Sequence, residues 1–476
     1  MWRGADSAKL STSITPAHDY PGAEHAVQRE GEDRMSDYMF MLESHLTGEQ
    51  YRLVGQMQAA AATTGLSLYL TGGAMRDVLG GFPVRDLDFT IEGNPAKLVK
   101  LMTATHGGSV ISTDEPKKST QLRFEGGVTA EIAMARSEKF AKSGARPTIE
   151  PATIHEDLRC RDFTVNAVAL SLNKASLGLL VDPTNGVGDI ERKELRAVHN
   201  YSFYDDPSRM LRLIRFRVRL GYTIDERTKL QYENAREAEM LSRISPDALG
   251  RELRNTAAEP DAHDVMAAFE QEKLIELYSP ALTGAKLNLP VFSKLQKARH
   301  MVPFGLDFRI NPMALFLYVL FEKLNPKERG ALVAAAELTK VEAALPEKLV
   351  ISAKKLERDL KSPKLQKASQ LYALLSKTPG EQVLYLEVYS TQRIVHDRIR
   401  NYFQKYLPAA LEVTNDVVAA TGVAPGTPKF QRVKDEMIVA RLDARPKKVA
   451  PPPEPLPPPP PMSGFVRGSG IRQARS

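Results

Sequence analysis

Leu70-Thr-Gly-Gly-Ala-Met-Arg-Asp77, followed six residues on by Pro83-Val-Arg-Asp-Leu-Asp-Phe89, is the stretch that decides the fold. Residues 66–70 read as a buried strand, and Thr71-Gly72-Gly73 as the turn into a helix from Ala74 to Leu79. Residues 84–92 read as a second strand, in which Asp86, Asp88 and Thr90 alternate with Leu87, Phe89 and Ile91. In a strand, residues two apart share a face, so two carboxylates stand side by side in front of an apolar back. Like charges that close are costly unless a cation neutralises them, and hard oxygen ligands suit Mg²⁺. Alone, an Asp-x-Asp pair equally suits a solvated surface. Gly72 and Gly73 alter the balance. Backbone N–H groups at a helix start, with the helix dipole, bind anions. Arg76, one turn in, adds a planar fork suited to phosphate. A phosphate site next to a metal-type carboxylate pair is what nucleotide transfer requires.

Working outward, 44–65 reads as one helix ended by Gly65, and 95–105 as another. Residues 121–125 and 128–135 read as two further strands. In the second of these Glu131 shares a face with Ala133 and Ala135, and there it would complete a two-metal site; the plain alternative is an exposed strand glutamate. Strands mixed with helices imply an α/β unit reaching to about Pro183. From about Asp206 the period is helical, punctuated by prolines near 246, 260, 280, 290, 312, 326, 363 and 379. Residues 1–34 are polar and aperiodic, which predicts disorder or an extra segment before a true start at Met35. The Pro-rich 446–476 reads as an extended, disordered tail.

Composition sets outer bounds. The chain has 476 residues and a net charge of +7, which permits an acidic polymer as partner without demanding one. Cys160 is the one cysteine, so no intrachain disulfide can form, as suits a reducing cytoplasm. No apolar run approaches the ~20 residues needed to cross a bilayer, and the N-terminus lacks a signal-peptide core. The expectation is a cytoplasmic protein with no membrane partner.

The motifs then fall in order. Leu70–Asp77 with Pro83–Phe89 resembles the first motif of class II tRNA nucleotidyltransferases and bacterial poly(A) polymerases. His155-Glu-Asp-Leu-Arg-Cys-Arg-Asp-Phe-Thr-Val-Asn-Ala167 resembles the second, and Val181-Asp-Pro-Thr-Asn-Gly-Val-Gly-Asp189 the third. Asp205-Asp-Pro-Ser-Arg-Met-Leu-Arg-Leu-Ile-Arg-Phe216, with Leu220-Gly-Tyr-Thr-Ile-Asp225, resembles the fourth, and Ile244-Ser-Pro-Asp-Ala-Leu-Gly-Arg-Glu-Leu253 is a weaker fifth.

The resemblance implies an α+β fold: a polymerase-beta-like nucleotidyltransferase head with a mixed sheet over 35–185, then an all-helical remainder. That remainder divides into a neck at 186–285, which binds nucleobase and RNA, and a body and tail at 286–445, which bind tRNA. It implies that Gly72, Gly73 and Arg76 contact the triphosphate, that Asp86 and Asp88 bind Mg²⁺, and that Glu131 is the third catalytic acid. Arg161, Asp162 and Asn166 would contact the nucleotide; the family usually carries Arg where Cys160 stands. Asp206 and Arg209, three apart and so neighbours on a helix, would choose the base. Cytosine and adenine each present an amino donor beside a ring-nitrogen acceptor, matching a carboxylate beside a guanidinium. Uracil and guanine present a carbonyl instead. Arg212 and Arg215 carry over as nucleotide contacts, though at ~100° per residue Asp206 to Arg215 spans half the helix. The polar segment 136–155 matches a mobile loop that helps the family switch from C to A.

The activity so implied is addition of CCA to the 3′ end of tRNA from CTP and ATP. The alternatives are a poly(A) polymerase, an enzyme adding only the terminal A, or an inert RNA-binding relative. The polymerases usually carry an Arg-rich run where this chain has Thr120-Gln-Leu-Arg-Phe-Glu125.

Overall fold

A computed structural model describes residues 34–303, 308, 310–424 and 426–444. The expectations for 1–33 and for the Pro-rich tail lie outside these residues.

The decisive stretch folds as strand, helix, strand. Strand β1 (Ser67–Thr71) buries Leu68 and Leu70, and Gly72, at φ +61°, turns the chain directly into helix Gly72–Leu79. The two glycines therefore form the first turn of that helix rather than a loop before it. Strand β2 (Asp86–Glu92) buries Leu87, Phe89 and Ile91, while Asp86 is exposed and Asp88 half-buried. The remaining strands are β3 (Ser109–Asp114), β4 (Ser119–Arg123), β5 (Thr129–Met134), β6 (Arg136–Lys139), β7 (Thr148–Pro151), β8 (Ala169–Ser171), β9 (Leu180–Val181), β10 (Glu194–Leu195) and β11 (Thr223–Ile224).

Seven strands form one mixed sheet in the order β3-β4-β5-β2-β1-β8-β9. Only β2 and β5 run parallel; every other neighbouring pair is antiparallel. Helices Gly48–Thr64 and Ala96–Thr105 supply Leu53, Val54, Met57, Leu98 and Met102 to the core behind β1 and β2. One face of the sheet is thus closed by packing, and the alternation of β2 turns its aspartates to the other.

The expected helix over 44–65 is two helices, Arg34–His45 and Gly48–Thr64. Thr47 starts the second with a capping box to Gln50, and Gly65 ends it at φ 68°. A Ser/Thr N-cap satisfies orphan N–H groups at a new start more readily than it fits a helix interior. The segment 136–155, read as a polar loop, contains the β6–β7 hairpin.

Beyond Asp206 the regular elements of the described residues are helices except for β11, which pairs in parallel with β10. Pro246, Pro290, Pro312 and Pro326 lie in the first turns of helices, where the missing N–H costs nothing. One continuous apolar core runs from Phe163 and Val165 in the head to Leu407, passing residue 285 without a break. Among the described residues no helix is long and apolar enough to cross a membrane.

Candidate active site

A cleft of about 840 Å³ opens between the sheet and the first helices that follow it. All thirteen residues expected at the site line it: Gly72, Gly73, Arg76, Asp86, Asp88, Glu131, Arg161, Asp162, Asn166, Asp206, Arg209, Arg212 and Arg215.

Its floor is acidic. The parallel register of β2 and β5 sets Asp86 opposite Thr129 and Asp88 opposite Glu131. Neighbouring strands lie ~4.8 Å apart, so three carboxylates share one small patch. The Thr129 hydroxyl donates to Asp86, and Ala74 N–H donates to Asp88 Oδ2 at 3.2 Å. The helix start therefore faces Asp88 itself, and part of the expected anion cradle stabilises a carboxylate of the chain. The approach is close. A Cβ added at Gly72 would stand 3.1 Å from Asp88 Oδ2, and one at Gly73 3.0 Å from it, so either would push the carboxylate aside; Gly72, at φ +61°, also needs glycine for its backbone.

Burial pushes the Asp88 carboxyl up to about 7, aided by the charges of Glu131 and Asp86 and opposed by Ala74 N–H and Arg161. A carboxylate so destabilised is one that a divalent cation would neutralise. Among the described residues no three acidic, imidazole or thiol groups already converge as a metal cage. Asp86 and Asp88, with Glu131 beside them, are the oxygen donors that suit such an ion.

The walls are lined with arginines held by acids. Arg161 donates from Nε and Nη2 to Asp157 Oδ2 at 2.8 and 2.6 Å, and from Nη2 to Thr90 Oγ1 at 3.3 Å. Arg76 is 2% exposed; it donates to Asp77 Oδ1 at 2.6 and 2.8 Å and to Asn166 Oδ1 at 2.8 Å. Asn166 donates in turn to Asp162 Oδ1 at 3.0 Å, and Arg212 donates to Asp162 Oδ2 at 2.7 Å. Burial resists ionisation of Asp162, yet Arg212, Asn166 and Arg209 overcome it and hold the carboxyl well below the usual range.

Residues that the sequence reading did not single out close this network into a ring. Glu252 lies 3.5 Å from Arg212 Nη1 and accepts from Arg215 Nε at 3.0 Å; Glu259 accepts from Arg215 Nη1 at 2.8 Å. Arg219 bridges Glu259, at 3.7 Å, and Asp77, at 3.2 Å, returning to Arg76. Burial and the charge of Arg76 lower Arg219 to about 10. The guanidinium groups of Arg76, Arg212 and Arg215 lie 5.3, 5.5 and 4.6 Å from the centre of the Phe216 ring, which the circuit surrounds. This circuit ties sheet to helices. The signal for it was the run of arginines at 209, 212, 215 and 219, spaced three and four apart, together with Glu252 inside the weak fifth motif.

The pair expected to choose the base needs one correction. Asp206 does not share a helix with Arg209: its backbone is extended (φ −129°, ψ 92°), and the helix runs Arg209–Leu220. Pro207 disfavours helical backbone at the residue before it. The pair is joined instead across a helix start. Asp206 Oδ1 accepts from the Ser208 N–H at 3.0 Å and hydroxyl at 2.6 Å, leaving Oδ2 3.9 Å from Arg209 Nε. Arg209, 5% exposed, is fixed by Ser202 Oγ at 2.8 Å and the Cys160 carbonyl at 2.9 Å. Arg215 is wholly engaged with Glu252 and Glu259, deep in the wall.

Comparison with known proteins places likenesses beside this geometry. Residues 68–196 match the model of the poly A polymerase head domain. The chain is 34% identical over 269 residues to an A-adding tRNA nucleotidyltransferase of Aquifex aeolicus, covering 56% of this chain and 32% of that one. It is 36% identical over 273 residues to one of Halalkalibacterium halodurans, covering 56% and 63%. It is 28% identical over 235 residues to a CCA-adding enzyme of Lacticaseibacillus paracasei, covering 48% and 56%. The chain thus spans less than two thirds of the length of these curated relatives. A solved CCA-adding enzyme, in an apo form, superposes with a TM-score of 0.51 at 24% identity over 86% of this chain and 96% of that one, a likeness of fold. Residues 68–196 are thus similar to a poly A polymerase head domain, and the chain's similarity to tRNA nucleotidyltransferases extends beyond that segment.

Proposed function

We propose that this chain is a template-independent tRNA nucleotidyltransferase that builds CCA on the 3′ end of tRNA from CTP and ATP, releasing pyrophosphate. The observation that carries the reading is the paired placement of Asp86, Asp88 and Glu131 on the floor of one cleft and Asp206 with Arg209 on its wall. Mg²⁺ held by Asp86 and Asp88 would supply charge neutralisation for an in-line phosphoryl transfer. Glu131 stands next to Asp88, where it can accept the proton of the attacking hydroxyl. Asp206 Oδ2 accepts from the amino group of cytosine or adenine, and Arg209 donates to the adjoining ring nitrogen. A uracil or guanine carbonyl at that point would face a carboxylate, which rejects both. Arg161 and Arg212, pinned by Asp157 and Asp162, present fixed positive charge toward the nucleotide. The helical half would hold the tRNA through phosphate and shape.

A second reading, addition of the terminal A alone, is favoured by one fact: the relatives 34% and 36% identical are named A-adding, whereas the CCA-adding one is 28% identical. Asp206 and Arg209 serve either activity. The test supplies tRNA lacking its end, and tRNA ending in CC, with Mg²⁺ and labelled CTP or ATP singly and together. Ordered C, C, A on the first substrate supports the proposal. A single A on the second, with no C on the first, supports A addition; long A tails mark a poly(A) polymerase. No incorporation on either, with tRNA still bound, refutes the enzymatic reading.

A further inference from the structure

Two groups contrast among the cations that line the cleft. Arg76, Arg209 and Arg215 are 2–5% exposed and bound to partners. The outer set is different. Arg146, in the loop between β6 and β7, and Arg243, just before helix Pro246–Ala258, are exposed. Neither has an acid within ion-pair distance among the described residues. Arg251 of that helix lies 3.4 Å from Asp247, both about half exposed, and Lys117, in the turn between β3 and β4, lies 3.6 Å from Asp114. Such loose, solvated pairs leave most of the cationic field intact. Burial and the charges of Arg251 and Arg136 lower the Lys117 ammonium, which marks these groups as crowded together. Four cations from separate segments of the chain thus line the cleft whose floor holds Asp86 and Asp88.

Building on the function proposed above, we propose that Lys117, Arg146, Arg243 and Arg251 seat the phosphodiester backbone of the RNA strand whose 3′ end is extended. The strand register supports this source of phosphate over the nucleotide triphosphate. Gln121 pairs with Glu131 and Ser119 with Ala133, so the Lys117 turn lies beyond Glu131, on the side of the sheet away from Gly72 and Gly73. At ~3.3 Å per residue that is roughly 10 Å from the reacting end, where the preceding nucleotides of the strand would pass. The carboxylates Asp114 and Asp247 keep Lys117 and Arg251 oriented, and an arriving phosphate would displace them.

The test uses the full chain and two double variants, Arg243→Gln/Arg251→Gln and Lys117→Gln/Arg146→Gln. Binding of a short single-stranded oligoribonucleotide is followed by anisotropy across a salt series, and binding of labelled ATP with Mg²⁺ by equilibrium dialysis. Each single-strand phosphate contact contributes ~0.7 to the salt slope, so each double variant should flatten it by about 1.4 and weaken RNA binding about tenfold near 0.1 M salt. ATP binding should stay within about twofold. Three of the substituted side chains are exposed and Lys117 is partly so, and an unchanged melting curve checks the fold. Weaker ATP binding with RNA binding intact would assign the cations to the triphosphate and overturn the proposal. Unchanged RNA binding in both variants, while the parent chain binds RNA, would overturn it and leave the proposed function standing. A parent chain that binds no RNA would sink both.

Discussion

Replacing Asp88 by Asn should abolish activity and, in the absence of metal, stabilise the protein. Asp88 sits at about 7 rather than its ordinary 3.8 because burial and two neighbouring carboxylates penalise its charge. A carboxyl whose folded value is raised binds more protons folded than unfolded. Stability is therefore lost as pH climbs from about 4 to about 7, and the penalty stays in full above that. Roughly three pH units at ~1.4 kcal/mol each set a ceiling of about 4 kcal/mol. Partial solvent contact trims this to about 2–3 kcal/mol. An amide at the same place keeps the Ala74 N–H bond and cannot ionise. In EDTA at pH 8 the Asp88→Asn head should melt several degrees above wild type, at about 2–4 °C per kcal/mol for a unit of this size. At pH 4.5 the two should nearly coincide. Mg²⁺ should raise the wild-type melting point and leave the variant unmoved, while nucleotide incorporation by the variant falls at least about a hundredfold. A variant no more stable than wild type at pH 8, or equal stabilisation of both by Mg²⁺, would refute the reasoning.

Three further outcomes are expected. Gly73→Ala brings a Cβ to 3.0 Å from Asp88 Oδ2, so the carboxylate must move; the Mg²⁺ concentration for half-maximal activity should rise at least about tenfold with little loss of stability, read from metal titrations and melting curves. Glu252→Gln removes the charge that buried Arg215 and half-buried Arg212 share, while each keeps one acid, Glu259 and Asp162, and should cost about 2 kcal/mol in denaturant unfolding. Arg209→Ala should relax the choice of C and A over U and G by about 1–3 kcal/mol, read as incorporation from the four triphosphates, while tRNA affinity changes little; equal loss of both would contradict its assigned role.

Local pattern carried a large part of this protein. The alternation of Asp86, Asp88 and Thr90 against Leu87, Phe89 and Ile91 set the strand and its faces, because side-chain period in a strand is two wherever the strand lies. Gly65, Gly72 and the prolines marked ends and starts, because backbone restriction is a property of single residues. Weak or absent periodicity hid the rest. Six exposed or half-exposed residues make up β3, and β8 to β11 are two or three residues long, so none shows an alternation to read. Asp206 lies outside the helix that its spacing to Arg209 suggests, because the constraint that Pro207 puts on its predecessor decides the backbone there.

From the sequence by itself came the acidic pair, its glycine-bounded neighbour helix, the ordered motifs and the mixed-then-helical plan. Only the tertiary structure decided who partners whom. Asp88 meets Glu131 across 43 residues, and Glu252 and Glu259 close a circuit with Arg212, Arg215, Arg219 and Asp77 in which the arginine spacing shows the cations but not their partners. The reason is physical: a dihedral preference is local to a residue, whereas charge pairing acts through space, and folding alone brings distant carboxylates and guanidiniums within a few ångströms.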